Sequence, residues 1–473
     1  MMTHVLAIAL RCLPAPSSAD PAEAAAPVEP IEQIEPIEPE PEPASETAAD
    51  KARDLRFEPG VMIWLRGQAR HAPRFTDDQP PAVDLLSRIR LQAELRWRAW
   101  SVFAQAQDHR AFGARNENVT GAVGFQQGWA KLEGKGPHGL SGFVRVGRQE
   151  IAWGRHRLIG TWPWAAQGRS FDALQMKGQY EFVGLELVYA MMERPRTFTI
   201  PDELAGELPV DTAGLHLGGA RLFVAPHEAF NAELMGLLDW ADVSPTELTR
   251  RRRIGDIGGR VWGEPVKGVT YDVEAHGQFG EVGRIDHRAW AFASTFRGRA
   301  PLEPLAPGLQ LGYTIASGHA CTGDTGTACA PTTNRDFFNF YPTNHPHYGI
   351  LDQFGWSNMR DAEAGVFLRH DAGFEASAVY HFFQLHESRG QWRDAGGNPV
   401  GQGWNPAGGD NTLGHELDVQ ITAELWGPLW LQPGYGFFVP TGAARVLAGP
   451  DAMHFVFLWV IVELPGKLAA KKT

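Results

Sequence analysis

The residues best equipped to handle an ion are arginines set at alternate positions. In Arg88-Ile-Arg-Leu-Gln-Ala-Glu-Leu-Arg-Trp-Arg98, residues Arg88, Arg90, Arg96 and Arg98 share one face of an extended chain with Gln92 and Glu94, and Ile89, Leu91, Ala93, Leu95 and Trp97 share the other. A guanidinium stays charged at any physiological pH and grips a carboxylate through two parallel hydrogen bonds. A column of such groups lowers the cost of drawing an anion through a narrow passage and repels cations. Glu94 among them keeps each site weak, so that a string of negative charges slides rather than sticks. Arg145, Arg148, Arg157, Arg169, Arg260, Arg360 and Arg369 are further candidates for the same wall, with Glu274, Glu363, Glu416, Asp418 and Glu424 as intervening carboxylates. The plainer reading is that these charges pair across the interior and stiffen it, and the spacing leaves both open.

Such a wall needs strands. The same alternation recurs in Leu413–Leu425, where His415, Leu417, Val419 and Ile421 oppose Glu416, Asp418, Gln420 and Thr422. It recurs in Tyr271–Gln278, Val183–Met191, Leu309–Ala316, Ala364–Leu368 and Phe374–Phe383. A period of two rather than 3.6 disfavours amphipathic helices. The sequence holds no apolar run long enough for a transmembrane helix. The other structure that crosses a bilayer with its backbone satisfied is a closed barrel, which needs apolar residues only at every second position. From Phe57 to Leu464 such segments alternate with Gly/Pro/Asn/Asp turns. At roughly 20–25 residues per strand and loop, this predicts an all-β, transmembrane antiparallel β-barrel of about 18 strands over 56–464. Trp64, Trp97, Trp100, Trp129, Trp240, Trp262, Trp290, Trp426, Trp430 and Trp459 fall near segment ends, where aromatic girdles sit. A barrel of this size has a lumen wider than its side chains fill.

Charge divides the chain. Of 55 acidic and 43 basic groups, eleven and three fall in residues 1–54, which leaves 44 against 40 in the body. The near balance gives no nucleic-acid signature. Residues 1–19 read as an export signal peptide, although Arg11 follows rather than precedes the apolar stretch. Residues 20–55, with Ile-Glu-Pro-Ile-Glu-Pro-Glu-Pro-Glu-Pro, read as a disordered, polyproline-like acidic linker. Residues 465–473 form a C-terminal tail. Cys321 and Cys329 bracket a Gly/Thr-rich stretch and are either a small disulfide-closed loop or two free thiols.

The stretch 145–173 is similar to the alginate export porin family: Gly147–Glu150 gives Gly-Arg-Gln-Glu, Gly154–Gly160 gives Gly-x-x-Arg-Leu-Ile-Gly, and Trp164 precedes Gly168-Arg-Ser-Phe-Asp172. Three further stretches resemble the family: Tyr341–Gly349 with Phe354–Asp361; Tyr380–Phe383 with Trp392 and Ala395–Gly397; and Gln432–Pro440. The resemblance implies an 18-stranded outer-membrane barrel that secretes alginate through an arginine-rich constriction, with Arg145, Arg148, Arg157, Arg169 and Arg360 carried over because they lie inside the matching motifs. Arg145 and Arg148 are three apart and cannot both face the lumen of a regular strand. Either Gly147 marks a bulge or one arginine packs at the rim.

The expected function is therefore passive, outward, anion-selective conduction of an anionic, alginate-like polysaccharide by a monomer in the outer membrane, among lipid and with periplasmic secretion-complex proteins as partners. One alternative is a general or small-anion uptake porin. Another is a polysaccharide-binding or -processing β protein. An enzyme is not expected: no nucleophile elbow, phosphate loop or zinc motif is present. No cofactor or metal is expected either. His345 and His347 flank Pro346 without an evident third ligand, so this segment reads as a structured loop over the pore.

Overall fold

The computed structural model describes residues 55–77, 80–113, 116–193, 196–202, 206–243, 251–302, 304–321, 333–404, 408–426 and 428–464. The leader, the acidic linker up to Asp54, Cys329 and the tail lie outside the described residues. Eighteen strands run in chain order: β1 Leu55–His71, β2 Ala82–Trp97, β3 Trp100–Gly113, β4 Asn116–Lys135, β5 Ser141–Gln149 and β6 Phe171–Tyr180. Then come β7 Val183–Glu193, continued by Arg196–Asp202, β8 Gly206–His227, β9 Phe230–Val243, β10 Arg252–Val266, β11 Val269–Val282 and β12 Ile285–Arg299. The last six are β13 Leu305–Ala316, β14 Met359–His370, β15 Phe374–Leu385, β16 Thr412–Trp426, β17 Leu429–Pro440 and β18 Met453–Leu464. Each strand pairs antiparallel with its neighbours in sequence. β1 pairs with both β2 and β18, so the sheet closes and has no free edge.

Alternation sorts each strand into two faces, as its sequence predicts. On β2, Arg88 and Arg90 are buried inside, whereas Ile89, Leu91 and Leu95 lie exposed outside. The outer face continues around the wall through Ile63, Val102, Val144, Leu187, Leu234, Ile257, Leu311, Val366, Val419 and Val456, all exposed. Exposed aliphatic or aromatic side chains on every strand make sense only against lipid. Among the described residues no helix is long and apolar enough to cross a membrane; the strands do the crossing.

The tryptophans correct the girdle expectation. Trp97, Trp100 and Trp290 are exposed on the outside, and Trp240 stacks there on His216. Trp64 and Trp459 instead point inward and are 1% and 3% exposed, packed edge-on at 5.5 Å. Trp129 also faces inward, stacked on Phe103 at 5.1 Å, and Trp262 lies inside under the Arg260 guanidinium. The side chain of Trp426 lies outside the described residues. Position near a strand end did not separate the two groups; parity does.

Both ends of the described barrel, Leu55 and Leu464, lie at the rim where neighbouring strands are joined by short turns such as Arg98-Ala99 and Lys267-Gly268. The opposite rim carries the long segments 150–170, 317–358, 386–411 and 441–452, the last with the short helix α1 Gly442–Leu447. In outer-membrane barrels the short turns face the periplasm and the long loops face outside. Here the long segments fold back into the barrel: Trp164, Ala165, Leu351, Tyr348 and Trp356 are each at most 1% exposed. The hydrophobic core therefore lies inside the barrel, between wall and loops.

Candidate permeation pathway

Midway through the lumen the wall arginines hold a loop rather than line open water. Arg88 donates from Nε to the carbonyl of Ala166 at 2.8 Å and from Nη2 to that of Pro163 at 2.6 Å, and also reaches the Ala165 carbonyl. Arg66, one strand away, donates to the Trp164 carbonyl at 3.1 Å and lies 3.5 Å from the centre of that indole. Gln107 donates to the Gln167 carbonyl at 2.8 Å, and Arg90 is 3.1 Å from Glu150. Carbonyls of an irregular segment cannot be left buried without donors, and the guanidinium forks supply them. Trp164 anchors the segment from its other side, 4.7 Å from Phe457 and 4.2 Å from the His345 ring.

Two of the long loops join inside the barrel. Ile159 and Tyr341 form a parallel bridge, with Gly160 N donating to Tyr341 O and Tyr341 N to Leu158 O, each at 2.8 Å. Arg157 is 3% exposed, donates to the Tyr348 hydroxyl at 2.9 Å and lies 3.5 Å from Glu274. Burial pulls Arg157 down, but Tyr348 and Glu274 outweigh it and the group ends raised. His347 donates from Nε2 to the Arg155 carbonyl at 2.7 Å. Burial first, then Arg157 and Arg155, push His347 well below its ordinary value, and burial with Arg260 and Arg155 brings His156 to about 4. His345 Nδ1 sits 3.0 Å from Asp352, whose carboxyl burial pushes up. His345 and His347 thus pack the loop, as expected of a structured segment. Phe354 stacks on Phe383 at 3.6 Å and meets Trp392 at 5.6 Å and Phe438 at 5.8 Å. The motif stretches, far apart in sequence, converge on these contacts.

Toward the outer rim a cavity of about 570 Å³ opens between the loops, walled by Trp162, Arg169, Arg252, Asp336, Phe338 and Arg393 among others. Arg169 donates to the carbonyls of Pro342 at 2.8 Å and Gly160 at 3.2 Å and lies 5.2 Å from the Trp162 ring. Its burial lowers it to about 10, still charged near neutrality. Arg252 pairs with Asp239, and Arg393 lies 3.6 Å from Asp336.

Toward the periplasmic rim, Arg96 pairs with Glu94 at 2.9 Å and approaches Glu58 at 3.9 Å, in an open mouth. Arg369 shares the inward parity of Asp361, Glu363 and Phe367 and is exposed at the same rim. Arg145 faces inward over Trp129 and donates to Gln175 at 2.5 Å.

Three expected positions need correction. Arg98 does not extend the arginine column: it forms the β2–β3 turn at φ 55°, its guanidinium 5.0 Å from the Trp97 ring. Arg148 alternates with inward Gly147 and Gln149, so it points outward, 3.3 Å from Asp172 on β6. The β4–β5 register is unbroken there, so Gly147 marks no bulge; its φ of +126° and a would-be Cβ 2.3 Å from the Gly128 carbonyl explain the glycine. Arg360 alternates with buried Met359 and Asp361 and shares the outer face with Ala362, Ala364 and Val366; it lies 3.5 Å from His386. A two-residue period makes these assignments unavoidable once the register is set.

Sequence reading missed Arg66, Arg252, Arg393 and Trp162. Arg66 could have been found by parity, because Trp64, Arg66, Gln68 and Arg70 alternate as the β2 face does. The other three reach the pathway from strand ends or loops, where alternation carries no information. Cys321 is disulfide-bonded; its partner lies outside the described residues.

Solved structures share this fold. OpdO of Pseudomonas aeruginosa superposes with a TM-score of 0.54 at 12% identity, over 87% of this chain and 99% of its own. OccK5 (OpdH) of the same organism gives 0.52 at 10%, over 86% and 98%, and the outer membrane protein OprD gives 0.51 at 13%, over 86% and 94%. No curated protein matches the sequence. A closed barrel with a lipid-facing outer wall is built to span a membrane. The alginate export family matches residues 56–458, most of the chain, and the protein belongs to that family.

Proposed function

We propose that the chain passes an anionic, alginate-like polysaccharide outward, passively and with anion selectivity. Family membership supports the direction and the polymer class. The observation that carries the reading is the outer cavity, whose wall holds Arg169, Arg252 and Arg393 against one carboxylate, Asp336, with the Trp162 ring beside Arg169. A uronate residue offers a carboxylate for a guanidinium and an apolar sugar face for an indole. The periplasmic mouth, with Arg96 and Arg369, supplies the entry attraction. Arg88, Arg90, Arg145 and Arg157 act at one remove, by shaping the loops and wall that define the path. The pore works as a monomer in lipid. Periplasmic secretion proteins would deliver the polymer and set its direction, since the path itself is passive. The test is efflux from proteoliposomes loaded with fluorescent polymannuronate or with neutral dextran of equal length. The reading predicts faster polymannuronate loss and a smaller preference in Arg169→Ala. Equal rates would remove the polyanion from the reading.

A second reading, a small-anion uptake porin, is favoured by one feature. Loop residues 150–170 and 333–358 fold into the lumen, and a cavity of this volume suits a drug-sized solute. Efflux of short uronates but not of the polymer would select it.

A further inference from the structure

The lower wall of the loop pocket carries a cluster that the permeation path does not use. Glu363 on β14 lies directly opposite His381 on β15, and Asp361 lies two residues along β14 on the same inner face. One ligand atom from each of the three lies within 4.8 Å of the others. His381 Nδ1 is 2.9 Å from Asp361 Oδ2, and its Nε2 is 3.8 Å from Asp418 Oδ2 on β16. Asp361 Oδ1 is buried and has no hydrogen-bond partner, and the same holds for Asp418 Oδ1 and Glu416 Oε2 alongside. The side chains of Asp361 and Asp418 are 1% and 4% exposed. Four carboxyl groups thus crowd one imidazole, and of the four only Glu363 is partly exposed. A buried carboxylate oxygen without a donor needs a cation or a proton. A proton serves one oxygen at a time, whereas a divalent ion serves several.

We infer that Asp361, Glu363 and His381 bind one divalent transition-metal ion, with Zn²⁺ the best match. Two carboxylate oxygens and one imidazole nitrogen form a borderline donor set, suited to zinc more than to calcium, which takes oxygen ligands alone. Bonds of about 2.1 Å in tetrahedral geometry place ligand atoms roughly 3.4 Å apart. The cluster therefore closes by small side-chain rotations. The ion takes the Nδ1 side of His381, and Asp418, 3.8 Å from Nε2, lies behind the ring, the place of a carboxylate that orients a metal-bound histidine. Gln310 donates to Glu363 and orients it. Asp418 and its neighbour Glu416 also accept the backbone N–H groups of Ile350 and Leu351, each at 3.0 Å. An ion here ties β14 and β15 together beside the point where the 345–352 segment is fastened to the wall. It would act as a clamp on the loop that narrows the lumen. The ligands are spread over two strands with alternate spacing, which is why no sequence motif announces them.

The test uses the folded, untagged full chain in detergent, titrated calorimetrically with Zn²⁺ and followed with Co²⁺ as a visible-absorption probe. One ion per chain is expected, with Co²⁺ bands of a low-coordinate site. Asp361→Asn and His381→Gln should each weaken Zn²⁺ at least tenfold, and Glu58→Gln at the periplasmic mouth should leave it unchanged. Should the buried variants fail to fold, Glu363→Gln carries the same expectation, because Glu363 is only partly buried. In single-channel records, zinc should quieten current fluctuations in the wild type and not in Glu363→Gln. A wild type that takes up no zinc at tens of micromolar, or variants that bind it equally well, would overturn the site.

Discussion

The guanidinium of Arg88 is bound to the carbonyl of Ala166, 78 residues away, across 2.8 Å. A strand residue that looks like part of an ion path is thereby a fastener for the loop that narrows the lumen. A charged hydrogen bond of this kind is worth about 1.5–3 kcal/mol. Arg88→Ala breaks it along with those to Pro163 and Ala165 and leaves buried carbonyls without donors. The variant should lower the thermal midpoint and raise the open-state conductance, with Arg88→Lys intermediate because an ammonium cannot fork to neighbouring carbonyls. Unaltered conductance in Arg88→Ala would show that the loop is held by other contacts.

The outward arginines make a contrasting pair with the mouth. Arg148→Ala and Arg360→Ala remove charges from the lipid-facing side and should leave the reversal potential in a salt gradient unchanged. Arg96→Ala and Arg369→Ala remove charges from the inner face and should shift it toward cation preference, more so at low salt, where screening is weaker. A selectivity shift in Arg148→Ala would contradict its outward placement.

Phe354 ties the motif stretches together through Phe383, Trp392 and Phe438. It is 1% exposed, so Phe354→Ala should cost about 3–5 kcal/mol. Loss of that packing should appear as a lower midpoint in detergent and as protease cleavage within 386–411, while the strands stay closed. A midpoint within error of the wild type would mean the loops do not share one core.

His156 and His347 are held neutral by burial and neighbouring arginines. A histidine depressed to about 4 binds its proton later in the folded state than in an opened one. Its contribution to loop closure is therefore intact above about 6.5, the ordinary histidine value, and is lost progressively as pH falls from there toward 4. Asp352, raised by burial, works in the opposite sense. Channel recordings should show more frequent openings as pH drops through that window, and His347→Gln should reduce the pH response. An identical pH profile in His347→Gln would detach the histidine from the loop.

Much of the fold was legible because it rests on one rule. A period of two in Arg88–Arg98 and Leu413–Leu425 sets which side chains meet lipid, and counting such segments leads to eighteen strands. The same rule, applied strictly, warned that Arg145 and Arg148 could not share a face, and they do not. For Arg360 and the tryptophans, motif membership and nearness to strand ends point elsewhere than parity does, and parity decides. The inward folding of the loops had no comparable signal. Their residues are placed by contacts such as Arg88 with Ala166 and Ile159 with Tyr341, and long-range pairing leaves no local periodicity to read. Arg157 and Arg169 stand out in the sequence only as members of a motif, and only the fold separates a buried strut from a cavity wall.

The central claim is that a polyanion travels through this pore, and the direct measurement is single-channel current in planar bilayers while polymannuronate is titrated in. The expected result is an anion-selective channel whose current is blocked by the polymer at low concentration, with weaker block in Arg169→Ala and Arg96→Ala. An open channel indifferent to the polymer would contradict it and leave the barrel as a pore for small solutes.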